Sequence, residues 1–154
     1  MALKNYTSQI PANRSISWIE AKLASSGARQ ILKTYDPEGR VEGIAFIIQI
    51  NGTSMSFKLP AQVDACETVL KSSVRRPTIE TNKRIKEQSE RTAWKIVADW
   101  LDSQMAMIEL SQVEFMQVFM AYLYSHNQQK TFYQIAKEKG FQKLLPEAVV
   151  KGVD

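Results

Sequence analysis

Residues 91–110, Arg-Thr-Ala-Trp-Lys-Ile-Val-Ala-Asp-Trp-Leu-Asp-Ser-Gln-Met-Ala-Met-Ile-Glu-Leu, constrain the fold more than any other stretch. Apolar side chains recur at Trp94, Val97, Leu101, Met105 and Ile108. A second row follows at Ala93, Ile96, Trp100 and Met107, so two adjoining faces of one helix are apolar. Only Lys95, Asp99, Asp102, Ala106 and Glu109 remain for solvent. Such a helix has to be covered over more than half its circumference, which puts it at the centre of a fold.

What covers it is read from the flanking periodicities. Ser17 with Glu20 three residues on fits a capping box, and Ile16, Ile19 and Leu23 with Trp18 beside them predict a short helix over 17–26, closed by Gly27. From Ala28 to Pro60 the period falls to two. The turn signals Asp36-Pro37-Glu38-Gly39 and Asn51-Gly52 divide this segment into a three-stranded antiparallel meander. Ile44, Phe46, Ile48 and Ile50, matched by Met55, Phe57 and Leu59, give it one apolar face. Pro60 suits the first turn of a next helix carrying Val63, Cys66, Val69 and Leu70, and Val74-Arg75-Arg76-Pro77 forms a basic linker. The long helix begins between Thr78 and Asn82. Ser111 and Glu114 predict a break and a restart into an apolar helix over 115–125, followed by a polar loop. A box-like start at Thr131 and Gln134 opens a last short helix that ends at Gly140, with Phe141, Leu144 and Leu145 tucked back.

The expected architecture is therefore α+β: a three-stranded antiparallel β-meander packed against a long central helix and several shorter helices. With 154 residues one core suffices. The expected division is an N-terminal arm over 1–14, a single domain over 15–145 and a tail over 146–154. No apolar run approaches the roughly 20 residues that span a bilayer, and the start lacks a signal-peptide block, so a cytoplasmic setting is expected. The single Cys66 and single His126 offer neither an internal disulfide nor a two-histidine metal motif.

The order of these signals carries a resemblance. Ser26-Gly27-Ala28, Tyr35-Asp36-Pro37-Glu38-Gly39, Phe57-Lys58-Leu59-Pro60, the Trp-containing run from Glu90 to Gln104, Glu114-Phe115 onward to Tyr122, and Lys130-Thr131-Phe132-Tyr133 together resemble a group of small phage- and prophage-encoded proteins of undefined function. The similarity covers about 17–145. It implies a mobile-element setting and carries over no catalytic residue. Where that group tends towards a Phe-Leu-Pro-Tyr stretch, this chain has Phe119-Met120-Ala121-Tyr122, from which an unkinked helix is expected.

Net charge is +4, and its distribution matters more than its sum. Lys71, Arg75, Arg76, Lys83, Arg84, Lys86, Arg91 and Lys95 face only Glu80, Glu87 and Glu90 within 71–95, whereas 96–129 holds no Lys or Arg. Guanidinium groups on a linker and along a helix match phosphate oxygens, so Arg75, Arg76, Lys83, Arg84, Arg91 and Lys95, with Trp94 at the junction of the basic and apolar halves, form the expected ligand-binding set. The alternative is a solvated helix that pairs its own charges, Glu87 with Arg91 among them. No helix-turn-helix, zinc-finger or RNA-binding aromatic signature is present.

Asp99 and Asp102 share a helix face and could hold Mg²⁺; the competing reading has them pairing with Arg29 or Arg40 from the sheet. Trp18, Trp94 and Trp100 could stack on bases or lie in the core. Met105, Met107, Met116 and Met120 with Phe115 and Phe119 supply adaptable apolar surface, from which a homodimer or higher homo-oligomer is expected, the alternative being a Met-filled core. The resulting expectation is a non-catalytic phage or mobile-element accessory protein, with no cofactor and no metal. It binds nucleic acid or a phosphate-bearing nucleotide through its basic helix and linker. The alternative is an anti-defence protein that sequesters a host nucleotide signal or inhibits a host immune protein.

Overall fold

A computed structural model describes residues 2–144. The elements are α1 (Ala12–Ser25), β1 (Gln30–Tyr35), β2 (Val41–Ile50), β3 (Thr53–Lys58), α2 (Val63–Lys71), α3 (Ile79–Glu109), α4 (Phe115–Phe119), a 3₁₀ turn (Met120–Tyr122), β4 (Tyr124–Ser125), β5 (Lys130–Thr131), α5 (Phe132–Lys139) and α6 (Phe141–Leu144). The architecture is α+β. The antiparallel sheet runs β1-β2-β3 and packs with α3, as the periodicities require. Among the described residues no helix is long and apolar enough to cross a membrane.

The sheet forms where the turn chemistry directs it. Gly39 donates its backbone N–H to the Asp36 carbonyl at 2.9 Å, and the Asp36 carboxylate accepts from the backbone N–H groups of Glu38 and Arg40, closing the first turn. Asn51 and Gly52 both take positive φ, 52° and 80°, which a two-residue hairpin needs to match the strand twist. Pairing of Phe46 with Phe57 and of Ile48 with Met55 then fixes the register with the apolar set on one face. Gly43 sits in close approach to β1: a Cβ there would lie 2.8 Å from the Thr34 hydroxyl and force it to shift.

One continuous core joins Ile16, Ile19 and Leu23 of α1 to Ile44, Phe46 and Ile48 of β2, to Phe57 and Leu59, to Trp94, Val97, Leu101 and Met105 of α3, and to Phe119. Each such side chain contributes about 1.5–3 kcal/mol on burial. Aromatic rings fill the end beneath α4: Phe46 stacks on Phe57 at 5.4 Å and Phe115 on Phe119 at 4.4 Å, while Trp100 meets Phe119 and Tyr122 edge-on. Met105 belongs to the core and Met116 packs against it, whereas Met107 and Met120 stay exposed. The methionines are thus divided between core and surface.

Several boundaries depart from the expected ones. Helix α1 starts at Ala12, not Ser17, and Ser17 is an exposed helical residue. Pro11 at φ −57° stands at the N-cap, and its carbonyl accepts from Arg14 and Ser15, so the polar Ala-Asn-Arg segment is the first helical turn rather than the end of an arm. The turn after α1 is as expected: Gly27 at φ 108° and Ala28 close a Schellman motif onto Ala24 and Leu23. Helix α2 starts at Val63, with Pro60 outside it, and Val69 is exposed.

The segment expected as one helix over 115–125 stops at Phe119 and tightens into the 3₁₀ turn. Tyr124 and Ser125 are taken instead by pairing with Thr131 and Lys130, and Leu123 bridges to Phe57 at the free edge of β3. The capping box that starts α4 is Glu114 with Gln117, not Ser111 with Glu114. The box at Thr131 and Gln134 is present, and α5 ends at Gly140 with φ 79°. Phe141 and Leu144 are exposed rather than tucked back. The expected placement of Leu145 and of the tail over 146–154 lies outside the described residues.

Candidate nucleic-acid interface

The basic segment spans the turn between α2 and α3 and the first half of α3, and its cations fall into two groups. Arg75 and Arg76 sit on the linker and Lys83 and Arg84 on the first turns of α3, all four exposed. Among the described residues no carboxylate lies within ion-pair distance of these four. Thr78 caps α3 through its side-chain oxygen, which accepts from the Thr81 backbone N–H at 3.1 Å. The cap fixes where the helix begins and so brings Lys83 and Arg84 within two turns of the Arg75-Arg76 linker.

The second group is already engaged. Arg91 donates through Nε to the Ser8 carbonyl at 3.3 Å and through its guanidinium to Gln88 at 2.6 Å, so the expected pairing with Glu87 is not made. Lys95 donates to Asp99 at 2.6 Å. Lys86 reaches across to Glu38 at 2.7 Å and Lys71 pairs with Glu67 at 3.0 Å. Trp94 is 0% exposed and donates its indole N–H to the Val41 carbonyl at 3.3 Å. It has no face to offer a ligand. The apolar pattern around it was the signal for burial, and that pattern outweighs its proximity to charge.

Arg91 helps fasten the N-terminal segment onto α3 through Ser8, and Lys95 holds the Asp99 carboxylate that the same segment reaches. The Thr92 hydroxyl, wholly buried, donates to the Asn5 carbonyl at 3.0 Å and receives from the Gln88 amide. Asn5 donates to Asp99 at 2.8 Å, and Lys4 stands 3.6 Å from the same carboxylate. Burial raises the Asp99 carboxyl, but the hydrogen bonds from Lys95 and Asn5 and the charges of Lys95 and Lys4 together hold it below the usual carboxylate range. Neither Arg29 nor Arg40 is its partner: Arg40 is taken by Asp36 at 2.9 Å. Hydrogen-bonding side chains at Asn5, Gln88 and Thr92 were the signal for this clasp, but their separation by more than eighty residues hid it.

A cleft of about 1030 Å³ opens beside the β1–β2 turn, with Arg40, Glu90, Lys58, Tyr122 and Tyr133 among its walls. Burial pushes the Glu90 carboxyl up, opposed by the Arg40 charge. Arg40 and Asp36 neutralise one another, and Arg40 draws the Asp36 carboxyl below its ordinary value chiefly through its backbone N–H. The cleft holds none of the residues of the expected binding set, and its walls carry both signs of charge. Among the described residues no group of three or more His, Cys, Asp or Glu side chains is placed to hold a metal ion. No family model, curated protein or solved structure matches the chain.

Proposed function

We propose that this protein is a non-catalytic accessory protein, of the phage or mobile-element setting its sequence resemblance implies, that holds nucleic acid by the phosphate backbone. The surface is the α2–α3 corner, with Arg75, Arg76, Lys83 and Arg84 as its cations. One observation carries the reading: these four are exposed and, among the described residues, have no ion-pair partner, whereas the neighbouring Lys71, Lys86, Arg91 and Lys95 are each engaged. Unpaired cations release counterions from a polyanion without first breaking an internal pair. The corner carries no base-reading motif, so binding is largely indifferent to sequence.

The test is anisotropy titration of labelled double- and single-stranded DNA and RNA over a range of salt. With about four phosphate contacts, log K falls against log salt with a slope near −3.6 on duplex DNA, about −0.9 per contact. Arg75→Ala, Arg76→Ala, Lys83→Ala and Arg84→Ala combined remove most of that slope. Binding that persists in this variant, or no binding by the native chain at low ionic strength, refutes the placement.

A further inference from the structure

Away from the basic corner, a pocket of about 240 Å³ lies between α1 and α3. It brings together residues that stand far apart in the chain: Arg14, Ser15 and Trp18 from α1, Lys95, Asp99 and Asp102 from α3. Asp99 lies about 22 Å along the helix from Arg84, so the pocket is separate from the corner. Its size is below the roughly 300–1,000 Å³ of drug-sized sites and suits a fragment such as a single heterocycle.

The chemistry of the walls narrows the occupant. Trp18 is 39% exposed while Trp94 is fully buried, so Trp18 keeps free indole surface for a planar group to stack on. Asp102 is exposed, and among the described residues no cation or hydrogen-bond donor engages its carboxylate. Arg14 is likewise without an ion-pair partner among them. Ser15 is 3% exposed and its hydroxyl has no hydrogen-bond partner among the described residues, an expensive state for a buried polar group. The site therefore presents an unengaged carboxylate, a guanidinium and an aromatic wall, with the enclosed Ser15 hydroxyl behind them. Asp99 is already supplied with donors by Asn5 and Lys95.

We propose that this pocket binds a purine base with two adjacent N–H donors, a guanine-type ring, presented by a nucleoside or mononucleotide. A carboxylate accepts two hydrogen bonds side by side, which matches the ring N–H and the neighbouring amino group of guanine; on adenine the equivalent edge sets a lone pair against it. The exocyclic oxygen and the imidazole nitrogen of guanine, side by side on its other edge, accept from the Arg14 guanidinium. Trp18 stacks on the ring. Asp99 and Asp102 disfavour a phosphate inside the pocket, so a mononucleotide leaves its phosphate at the rim.

The experiment titrates the full chain with guanosine, 5′-GMP, adenosine, ribose 5-phosphate and leucine, following the Trp18 indole N–H by NMR and intrinsic fluorescence. Guanosine and 5′-GMP bind within a few-fold of one another, adenosine at least tenfold more weakly, and ribose 5-phosphate and leucine not at all. Asp102→Asn, at an exposed position that leaves folding unaffected, weakens guanosine tenfold or more, and Trp18→Phe retains binding while removing the Trp18 signal. The variant lacking all four corner cations binds guanosine as the native chain does, so failure of the pocket is distinct from failure of nucleic-acid binding. No shift of the Trp18 indole at millimolar guanosine overturns the assignment, as does an equal response to ribose 5-phosphate, or a response to leucine without one to guanosine.

Discussion

Asn5 donates its side-chain amide to Asp99 at 2.8 Å across ninety-four positions of sequence, and its backbone takes φ 61° to do so. Asparagine is among the few residues that tolerate this left-handed conformation, so one side chain supplies both the backbone freedom and the hydrogen bond. The bond to a charged acceptor is partly solvated, which reduces its worth to about 1 kcal/mol. Asn5→Ala, which also strains the backbone, lowers unfolding free energy by about 1–2 kcal/mol, and Asn5→Gly by the smaller amount. Denaturant titration reads both. Hydrogen exchange at residues 3–8 rises in both variants; unchanged protection in Asn5→Gly would mean that the backbone contacts from Thr92 and Arg91 hold the segment alone.

Asp99 and Glu90 make stability depend on pH with opposite signs. Asp99 is held below its ordinary range, so its contribution is present above the unfolded value near about 4 and is lost as pH falls through the folded value. Glu90 is raised by burial, so its contribution is present below the unfolded value and is lost as pH rises through the folded one. Asp99→Asn accordingly lowers the melting temperature at pH 7, with a deficit that shrinks in acid. Glu90→Gln raises it at pH 7 and leaves it unchanged below about pH 4. Thermal scans at pH 7 and pH 3.5 check both, and a Glu90→Gln variant less stable than the native chain at pH 7 contradicts the destabilising sign of the ionised Glu90 carboxylate.

The contrast between Asn51-Gly52 and Tyr124-Ser125 shows what was legible. A type I′ hairpin is written in two adjacent residues, the cap after α1 in Gly27, and the box of α5 in Thr131 and Gln134 three residues on; near neighbours in sequence decide them. The end of α4 is decided elsewhere. Phe115 to Ser125 is apolar enough to continue as a helix, but the Phe132 backbone N–H bonds the Leu123 carbonyl at 2.7 Å and Leu123 bridges to Phe57. Periodicity carries no information on pairing at that range. The binding set shows the same limit in part: Arg91 resembles Arg84 in type, and its bond to the Ser8 carbonyl of the folded N-terminal segment sets it apart, whereas Lys95 is engaged by Asp99 at helical i,i+4 spacing.

Ser111 closes α3 at φ 60°, donating to the Ile108 carbonyl at 3.0 Å while Gln112 donates to Met107 at 2.9 Å. This is a Schellman motif with serine in the position that glycine usually fills. A side chain there costs about 1–2 kcal/mol, offset in part by the extra freedom glycine has when unfolded. Ser111→Gly therefore stabilises by about 0.5–1 kcal/mol, read from the denaturation midpoint at unchanged slope. A loss of stability would mean that the serine hydroxyl contributes more than its backbone strain removes.

Trp94 and Arg84 lie ten residues apart on one helix and separate packing from binding. Trp94→Phe leaves a cavity in the shared core and strips the Val41 carbonyl of its indole donor, a loss of about 2–4 kcal/mol, within what a domain of this size survives. Because the indole is enclosed, the folded variant keeps the native affinity and salt slope for nucleic acid. Arg84→Ala does the reverse, leaving stability within about 0.5 kcal/mol of native and reducing the slope by about one. Paired denaturation and salt titrations on the two variants decide the matter: a Trp94→Phe protein that is folded but no longer binds would return the indole to the interface.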